Sequence, residues 1–330
     1  MATAPVSVIV TCYADERWDS LLRAIDSAAR QDPAPTEIVV VADNNEHLFE
    51  RLQEEVAGVT LVRNPDPPGA SNARNAGAAV TGTPFIAFLD DDVEAHAGWL
   101  ARLLAPFDDE GVVGTGGRAD ARWQVRRPQW FPDEFAWVVG TSYTGMPLEI
   151  QAVRNVWSEN MAVRGDVFHA VGGFRGDFGK VASVSRPEDT DLCIRMSSHL
   201  PGGRWVFVPD AVVDHEVPAA RATLRYFLRR SFWEGRGKIE MARAVGREQG
   251  LSDERAWLTK TVPAGVVRNL CEAARGGSAH GVVRAAAIVA GTIAAGVGAA
   301  VSLIFSWRGG GAIDPPPPAT DDARQPDRDT

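Results

Sequence analysis

Cysteine is scarce in this 330-residue chain: Cys12, Cys193 and Cys271 are the only three, with no metal-ligand or redox spacing. A disulfide scaffold and a thiolate metal site are thereby excluded. Positive charge is also in deficit. With a net charge of −9, the chain lacks the basic excess of a nucleic-acid binder, and no nucleic-acid partner is expected. The first residues, Met1-Ala2-Thr3-Ala4-Pro5, run into a strand pattern without the layout of a secretion signal, so a cytoplasmic catalytic body is expected. Nor does a glycine-rich turn follow that first strand, where Ala14-Asp15-Glu16-Arg17 stands.

What is present suffices for a large core: 45% of residues are hydrophobic and 23% charged, which fits one large domain with an appendage, or two domains. The charge is unevenly spread. Residues 1–217 hold 18 Lys and Arg against 32 Asp and Glu, whereas 218–284 hold 13 against 6. Residues 285–307 carry no charge, and 308–330 hold 3 against 5. The expected division is a catalytic domain (1–217), a basic helical extension (218–284), a transmembrane or interfacial helix (285–307) and a disordered tail containing Pro315–Pro318 (308–330). A basic stretch directly before an uncharged one suits the anionic face of a membrane. Ala285 to Phe305 as a helix would span roughly 30 Å, but its many Ala and Gly residues contribute little to insertion.

Periodicity in the first 217 residues alternates strands with helices. Val6–Tyr13, Glu37–Asp43 and Val59–Val62 read as strands, with helices over 16–31, 46–56 and 71–79. The run Phe85-Ile86-Ala87-Phe88-Leu89 reads as a buried strand that ends in Asp90-Asp91-Asp92. A helix over 97–107, strands at Val112–Gly117 and Val156–Val163, a polar loop over 175–186, a helix from Pro187 and a strand from Trp205 to His215 complete the pattern. A doubly wound, mostly parallel α/β sheet with flanking helices follows.

In such sheets ligands gather at the strands' C-terminal edge, which places Tyr13, Asp43 and Asp90 to Asp92 together. An aromatic ring beside a short acid can cradle a nucleobase, and Arg74 on the following helix can reach a diphosphate. Packed acids raise each other's pKa unless a cation neutralises them, so the triple Asp makes most sense around a divalent metal. Trp123, Trp130, Trp137 and Trp157 form either a stacking platform for a sugar or the packing of a smaller layer.

Taken in order, Val8-Ile9-Val10-Thr11-Cys12-Tyr13, Val40-Val41-Ala42-Asp43-Asn44, Ala73-Arg74-Asn75-Ala76-Gly77, Phe88-Leu89-Asp90-Asp91-Asp92, Asn160-Met161-Ala162-Val163-Arg164, Gly172-Gly173-Phe174 and Glu188-Asp189-Thr190-Asp191-Leu192 resemble the family 2 glycosyltransferases over roughly residues 5–240. The resemblance implies the Rossmann-like GT-A fold, a nucleotide-diphosphate sugar donor, a divalent cofactor (Mg²⁺ or Mn²⁺) and inversion at the anomeric carbon. It assigns Asp189 as general base, and Thr11, Tyr13, Asp43, Arg74, Asp90 and Asp91 to the donor. Asp92 matches the metal-binding end of an Asp-X-Asp motif, and His215 a metal- or diphosphate-contacting histidine or a structural one. Glu188, Asp191, Trp130 and Trp157 fall to the acceptor side, Asp191 also as a partner for Arg195 at i+4. Where many relatives carry two acids then Gly-Ser, Asp43-Asn44-Asn45 stands here, which leaves a UDP-sugar favoured and a GDP-sugar open.

Phe232-Trp233-Glu234-Gly235-Arg236-Gly237-Lys238 resembles a segment that follows the catalytic core in membrane-associated relatives, so a lipid-linked or glycan acceptor at the cytoplasmic membrane face is expected. Two other readings compete: a sugar nucleotidyltransferase, which the absent glycine-rich turn opposes, and a catalytically inactive membrane-tethered binding module, which the intact Asp90, Asp92 and Asp189 oppose.

Overall fold

The computed structural model describes residues 5–176, 179–181, 184–186, 188–245, 252–275 and 280–307. The expected tail 308–330 and Pro187 lie outside the described residues. A nine-stranded sheet forms the centre. Strands β1 (Val6–Cys12), β2 (Glu37–Ala42), β3 (Thr60–Arg63) and β4 (Phe85–Asp90) run parallel in the order β3-β2-β1-β4, joined by helices α1 (Trp18–Ala29), α2 (Glu46–Glu55) and α3 (Ala70–Ala79). The strands are apolar on both faces because both are covered. Val8, Val10 and Leu89 pack with Leu21, Leu48 and Leu52 on one side. Ile9, Val41 and Phe88 pack with Ala73, Phe168 and Leu192 on the other.

Beyond β4 the sheet is mixed rather than uniformly parallel. The short β5 (Val93–Ala95) precedes α4 (Trp99–Leu104), and β6 (Val112–Trp123) runs six residues further than Gly117, the end expected from sequence. After β7 (Gln151–Val153), β8 (Asn160–Arg164) enters antiparallel between β4 and β6. The expected strand at 156–163 therefore begins later. Val156 and Trp157 are strand formers, but the backbone turns at 156–159 and presents Trp157, Ser158 and Glu159 to a cavity, a tertiary demand that overrides local propensity. Helix α5 (Gly165–Ala170) follows, and the expected polar loop at 175–186 contains a short hairpin, β9 (Gly179–Val181) with β10 (Val184–Arg186). Helix α6 (Glu188–His199) leads to the long β11 (Arg204–Val217), which pairs with β6 along both halves and with β7 and β5 on its far side.

The C-terminal third is helical: α7 (Leu224–Val245), α8 (Ser252–Ala256), a π-turn to Thr261, α9 (Val262–Ala274) and α10 (His280–Trp307). It docks on the body through a third apolar cluster, in which Phe227 of α7 and Ile288 of α10 meet Phe131, Phe135 and Val217. Glu134, fully buried, ties this junction to α9 through Arg268 at 2.7 Å. Helices α7 and α10 cross at near backbone contact: a Cβ on Gly235 would collide with the Ala295 carbonyl, and one on Gly298 with that of Phe232. Glycine is required at that crossing because no side chain fits.

Candidate active site

The C-terminal edge of the parallel strands is assembled by register. Thr11 at the end of β1 pairs with Asp90 at the end of β4, and Asp43 follows β2 with its N–H donating to the Cys12 carbonyl at 2.7 Å. The short β5 then pairs antiparallel with β11, setting His215 opposite Val93 and so beside Asp92. Distant segments of chain thus converge on one edge.

Just past the end of β1, Tyr13 is 55% exposed, with the Arg17 guanidinium 5.1 Å from its ring centre. Asp43 accepts from Asn64 Nδ2 at 2.6 Å and from the Gly69 N–H at 2.8 Å, which pins the Pro67–Gly69 loop ahead of α3. Asn44 and Asn45 have local duties. Asn44 takes a left-handed conformation (φ 52°), and Asn45 caps α2 by accepting from the Leu48 N–H at 2.9 Å. Asn45 Nδ2 also donates to the Tyr13 carbonyl at 3.1 Å and to Asp15 at 2.8 Å, fastening the loop that carries the tyrosine.

The acids after β4 face different partners. Asp91 and Asp92 are buried, and one nitrogen of Arg17 lies 2.6 Å from Asp91 Oδ1 and 3.0 Å from Asp92 Oδ2. Burial, only partly offset by Arg17, pushes the Asp91 carboxyl up to about 7. Asp92 goes the other way. Burial opposes its ionisation, but the neighbouring His215 and the charge of Arg17 hold it well below the usual carboxylate range. His215 Nε2 lies 3.6 Å from Asp92 Oδ1, and although burial favours the neutral ring, Glu159 and Asp92 together raise its pKa. Glu159 itself is pushed up to about 8, chiefly by burial.

Among the described residues no three His, Cys, Asp or Glu side chains form a ready-made metal cage. The ionised Asp92 faces His215 Nε2 at 3.6 Å, a spacing that two ligands of one cation can adopt once the ring is neutral. That set fits Mg²⁺ or Mn²⁺, which nucleotide-using enzymes commonly hold with one or two side chains plus substrate phosphates.

Asp90 accepts from Arg74 Nη2 at 2.6 Å. Arg74 is only 4% exposed, and its Nε and Nη1 lack hydrogen-bond partners. It sits over the sheet because α3 approaches closely at Gly77, where a Cβ would lie 2.6 Å from Ile9 Cγ2. Arg74 and Asp90 line a cavity of about 630 Å³ together with Ser158, Glu159, Glu188 and Asp189. Burial raises the Asp189 pKa against the opposing effects of Arg74 and a hydrogen bond with Ser158. Burial and the Asp189 charge push Glu188 up to about 8. Asp189 Oδ1 and Glu159 Oε1 are also without hydrogen-bond partners. Such a concentration of unsatisfied buried polar atoms around one cavity marks a place built for a ligand.

The remaining sequence candidates fall in several places. Trp157 lines the cavity with Trp137, whereas Trp130 lies outside it, its ring 5.5 Å from that of Phe227. Asp191 is fully buried facing away from the cavity, 2.8 Å from Arg195 and 3.4 Å from Arg175. Arg195 in turn donates to the Val171 and Gly173 carbonyls, which makes Asp191 a brace for the Gly172-Gly173 turn. Sequence reasoning did not single out Arg17, Ser158 or Glu159. It also missed the far wall, where Arg230, Glu234 and Lys238 of α7 and Thr292, Ala295 and Ala299 of α10 close the cavity. Glu159 stands immediately before the Asn160-Met161 motif, a signal that could have been followed.

The glycosyl transferase family 2 model matches residues 7–172. The chain is 30% identical over 304 residues to glucosyl-dolichyl phosphate glucuronosyltransferase from Haloferax volcanii, covering 91% of this chain and 96% of that one. It is 29% identical to the succinoglycan biosynthesis protein ExoM of Rhizobium meliloti, covering 75% and 79%. Among solved structures, the mannosyltransferase PcManGT from Pyrobaculum calidifontis in complex with GDP-Man and Mn²⁺ superposes with a TM-score of 0.51 at 16% identity, over 89% of this chain and 87% of that one. A GalNAc-transferase structure with UDP, GalNAc and Mn²⁺ gives the same score at 19% identity, over 78% and 54%. The expected GT-A fold is therefore the observed one, and the chain belongs to glycosyl transferase family 2 and is a glycosyltransferase.

Proposed function

We propose that this enzyme is an inverting transferase that moves a sugar from a nucleoside diphosphate, UDP favoured and GDP possible, to a hydroxyl of a lipid-linked or glycan acceptor at the cytoplasmic face of a membrane. The observation that carries the reading is Asp189: its unpartnered Oδ1 faces the cavity that Arg74 and Asp90 also line. The GDP-Man named for one solved neighbour and the UDP and GalNAc named for the other support a nucleotide sugar, and the dolichyl phosphate compound in the name of the Haloferax relative supports a lipid-linked acceptor.

Tyr13 and Asp43 hold the base on this reading, and the two unpartnered nitrogens of Arg74 donate to the diphosphate. A divalent cation held by Asp92 and His215 supplies, when bound, positive charge beside the leaving diphosphate. Asp189 accepts the proton of the acceptor hydroxyl as its oxygen bonds to the anomeric carbon and the carbon–phosphate oxygen bond breaks behind it. A single displacement from the opposite face inverts the configuration. Trp137 and Trp157 offer stacking faces to the acceptor sugar.

The test is to incubate the full chain with UDP- and GDP-sugars, a polyprenyl-phosphate sugar and Mn²⁺, and to determine the product's anomeric configuration by NMR. A configuration opposite to the donor's is expected; retention would sink the single displacement.

A further inference from the structure

Helix α10 is long and apolar enough to cross a bilayer by length and composition, yet only 28% of that stretch is buried. Its circumference is divided into faces. Gly291, Ala295 and Gly298 pack on Phe135, Gly235 and Phe232, so this side is locked to α7 and the catalytic body. Thr292, Gly296 and Ala299 line the catalytic cavity. Val282, Val289, Ile293, Val297 and Ile304 recur at helical spacing and are all about half exposed, forming one apolar stripe. The stripe continues onto α9, where Val267 and Leu270 are exposed beside an apolar groove shared by the two helices.

We propose that α10 and α9 lie in the plane of an anionic membrane, with the stripe dipped among the lipids, and that α10 does not span it. The partner helix decides between the two topologies. α7 carries Arg225, Arg229, Arg230, Glu234, Arg236 and Lys238 among other charges, and it grips the middle of α10 at backbone distance. To cross the hydrocarbon, α10 would have to tear free of α7 or drag those charges with it. Lying flat keeps both the packing and the hydration. The lipid charge follows from the basic excess of 218–284, with Lys260 and Arg275 exposed at the two ends of α9. One helix thereby serves as membrane contact on one face and cavity wall on the next. A lipid-borne acceptor then enters sideways from the membrane, a consequence that rests on the transferase reading, whereas the topology does not.

Two measurements decide it. Single cysteines, His280→Cys and Trp307→Cys, are introduced in a Cys271→Ser background of the full chain and probed with a membrane-impermeant maleimide. Both positions should label in inside-out membrane vesicles, and neither in intact cells. Labelling of one end from each side would establish a span and overturn the proposal.

The triple variant Val289→Glu, Ile293→Glu and Val297→Glu should lose at least tenfold in binding to phosphatidylcholine vesicles containing phosphatidylglycerol, while binding UDP with Mn²⁺ as the parent does. Undiminished vesicle binding, or a parental dimer that the triple variant abolishes while vesicle binding persists, would overturn the proposal. If the parent binds neither UDP nor GDP but the labelling pattern holds, the donor reading fails and the topology stands.

Discussion

Arg17 bridges Asp91 at 2.6 Å from the first turn after β1, and the same nitrogen reaches Asp92. A side chain thus supplies part of the positive charge that a divalent cation would bring to these acids. Replacing it exposes the site's negative field. Arg17→Ala should therefore tighten Mn²⁺ binding at pH 8 without donor, measured by calorimetry, and Asp92→Ala should abolish it. Unchanged affinity in Arg17→Ala would show that the guanidinium does not govern the cation site.

Asp189→Asn keeps the shape of the side chain and removes its basicity. Transfer should fall by about 10²–10⁴-fold, the usual scale of general-base catalysis. Donor binding, followed by calorimetry, should change little. Comparable losses in binding and turnover would make Asp189 a donor-positioning residue.

The pH profile follows from the same pair. Burial raises both Glu188, to about 8, and Asp189, so transfer should fall away on the acid side as Asp189 takes up its proton. Asp189 ionises ahead of Glu188, whose own pKa the Asp189 charge raises, so Glu188→Gln should leave the acid limb in place. Linkage has a definite sign here. Carboxyls raised in the folded state bind more protons there than in the unfolded chain, so melting temperature should fall from pH 5 to 8, and fall less in Glu188→Gln. A rate independent of pH over that range would contradict the assignment.

Glu254 shows the opposite linkage. Although burial opposes ionisation, bonds to Arg154 and the charge of Lys238 lower its pKa from 4.5 to about 2. Its contribution is complete above pH 4.5 and disappears as pH falls towards 2. Glu254→Gln should cost about 3 kcal/mol at neutral pH, the low end for removing one partner of a largely buried ion pair. Chemical denaturation at pH 7 and pH 3 should show the penalty at the first and a reduced one at the second.

Much of the sheet was legible because β1, β2 and β4 are largely apolar runs, the last two leading straight into acids, and that pattern has few physical solutions. The antiparallel entry of β8 was hidden: residues 156–159 look like strand, and only the cavity they border explains why the backbone turns. Arg74, Asp90 and Asp189 could be placed from motifs on known strand and helix ends. Arg17 could not, since an arginine after a strand looks like an ordinary surface charge until the fold brings it beside Asp91 and Asp92, whereas Glu159 carried only the weak signal of preceding the Asn160-Met161 motif. Trp130 and Trp157 were indistinguishable in sequence, yet one packs against Phe227 and the other borders the cavity.

The wall that α7 and α10 contribute divides responsibilities along the gene. Everything assigned to breaking and making the glycosidic bond lies before residue 217, while Arg230, Lys238, Ala295 and Ala299 shape the opposite side of the same chamber. On the proposed function, variation in the last third should alter which molecule is glycosylated and leave the reaction unchanged. Trimming the chain after β11 would leave an open cleft whose selectivity says little about that of the intact enzyme.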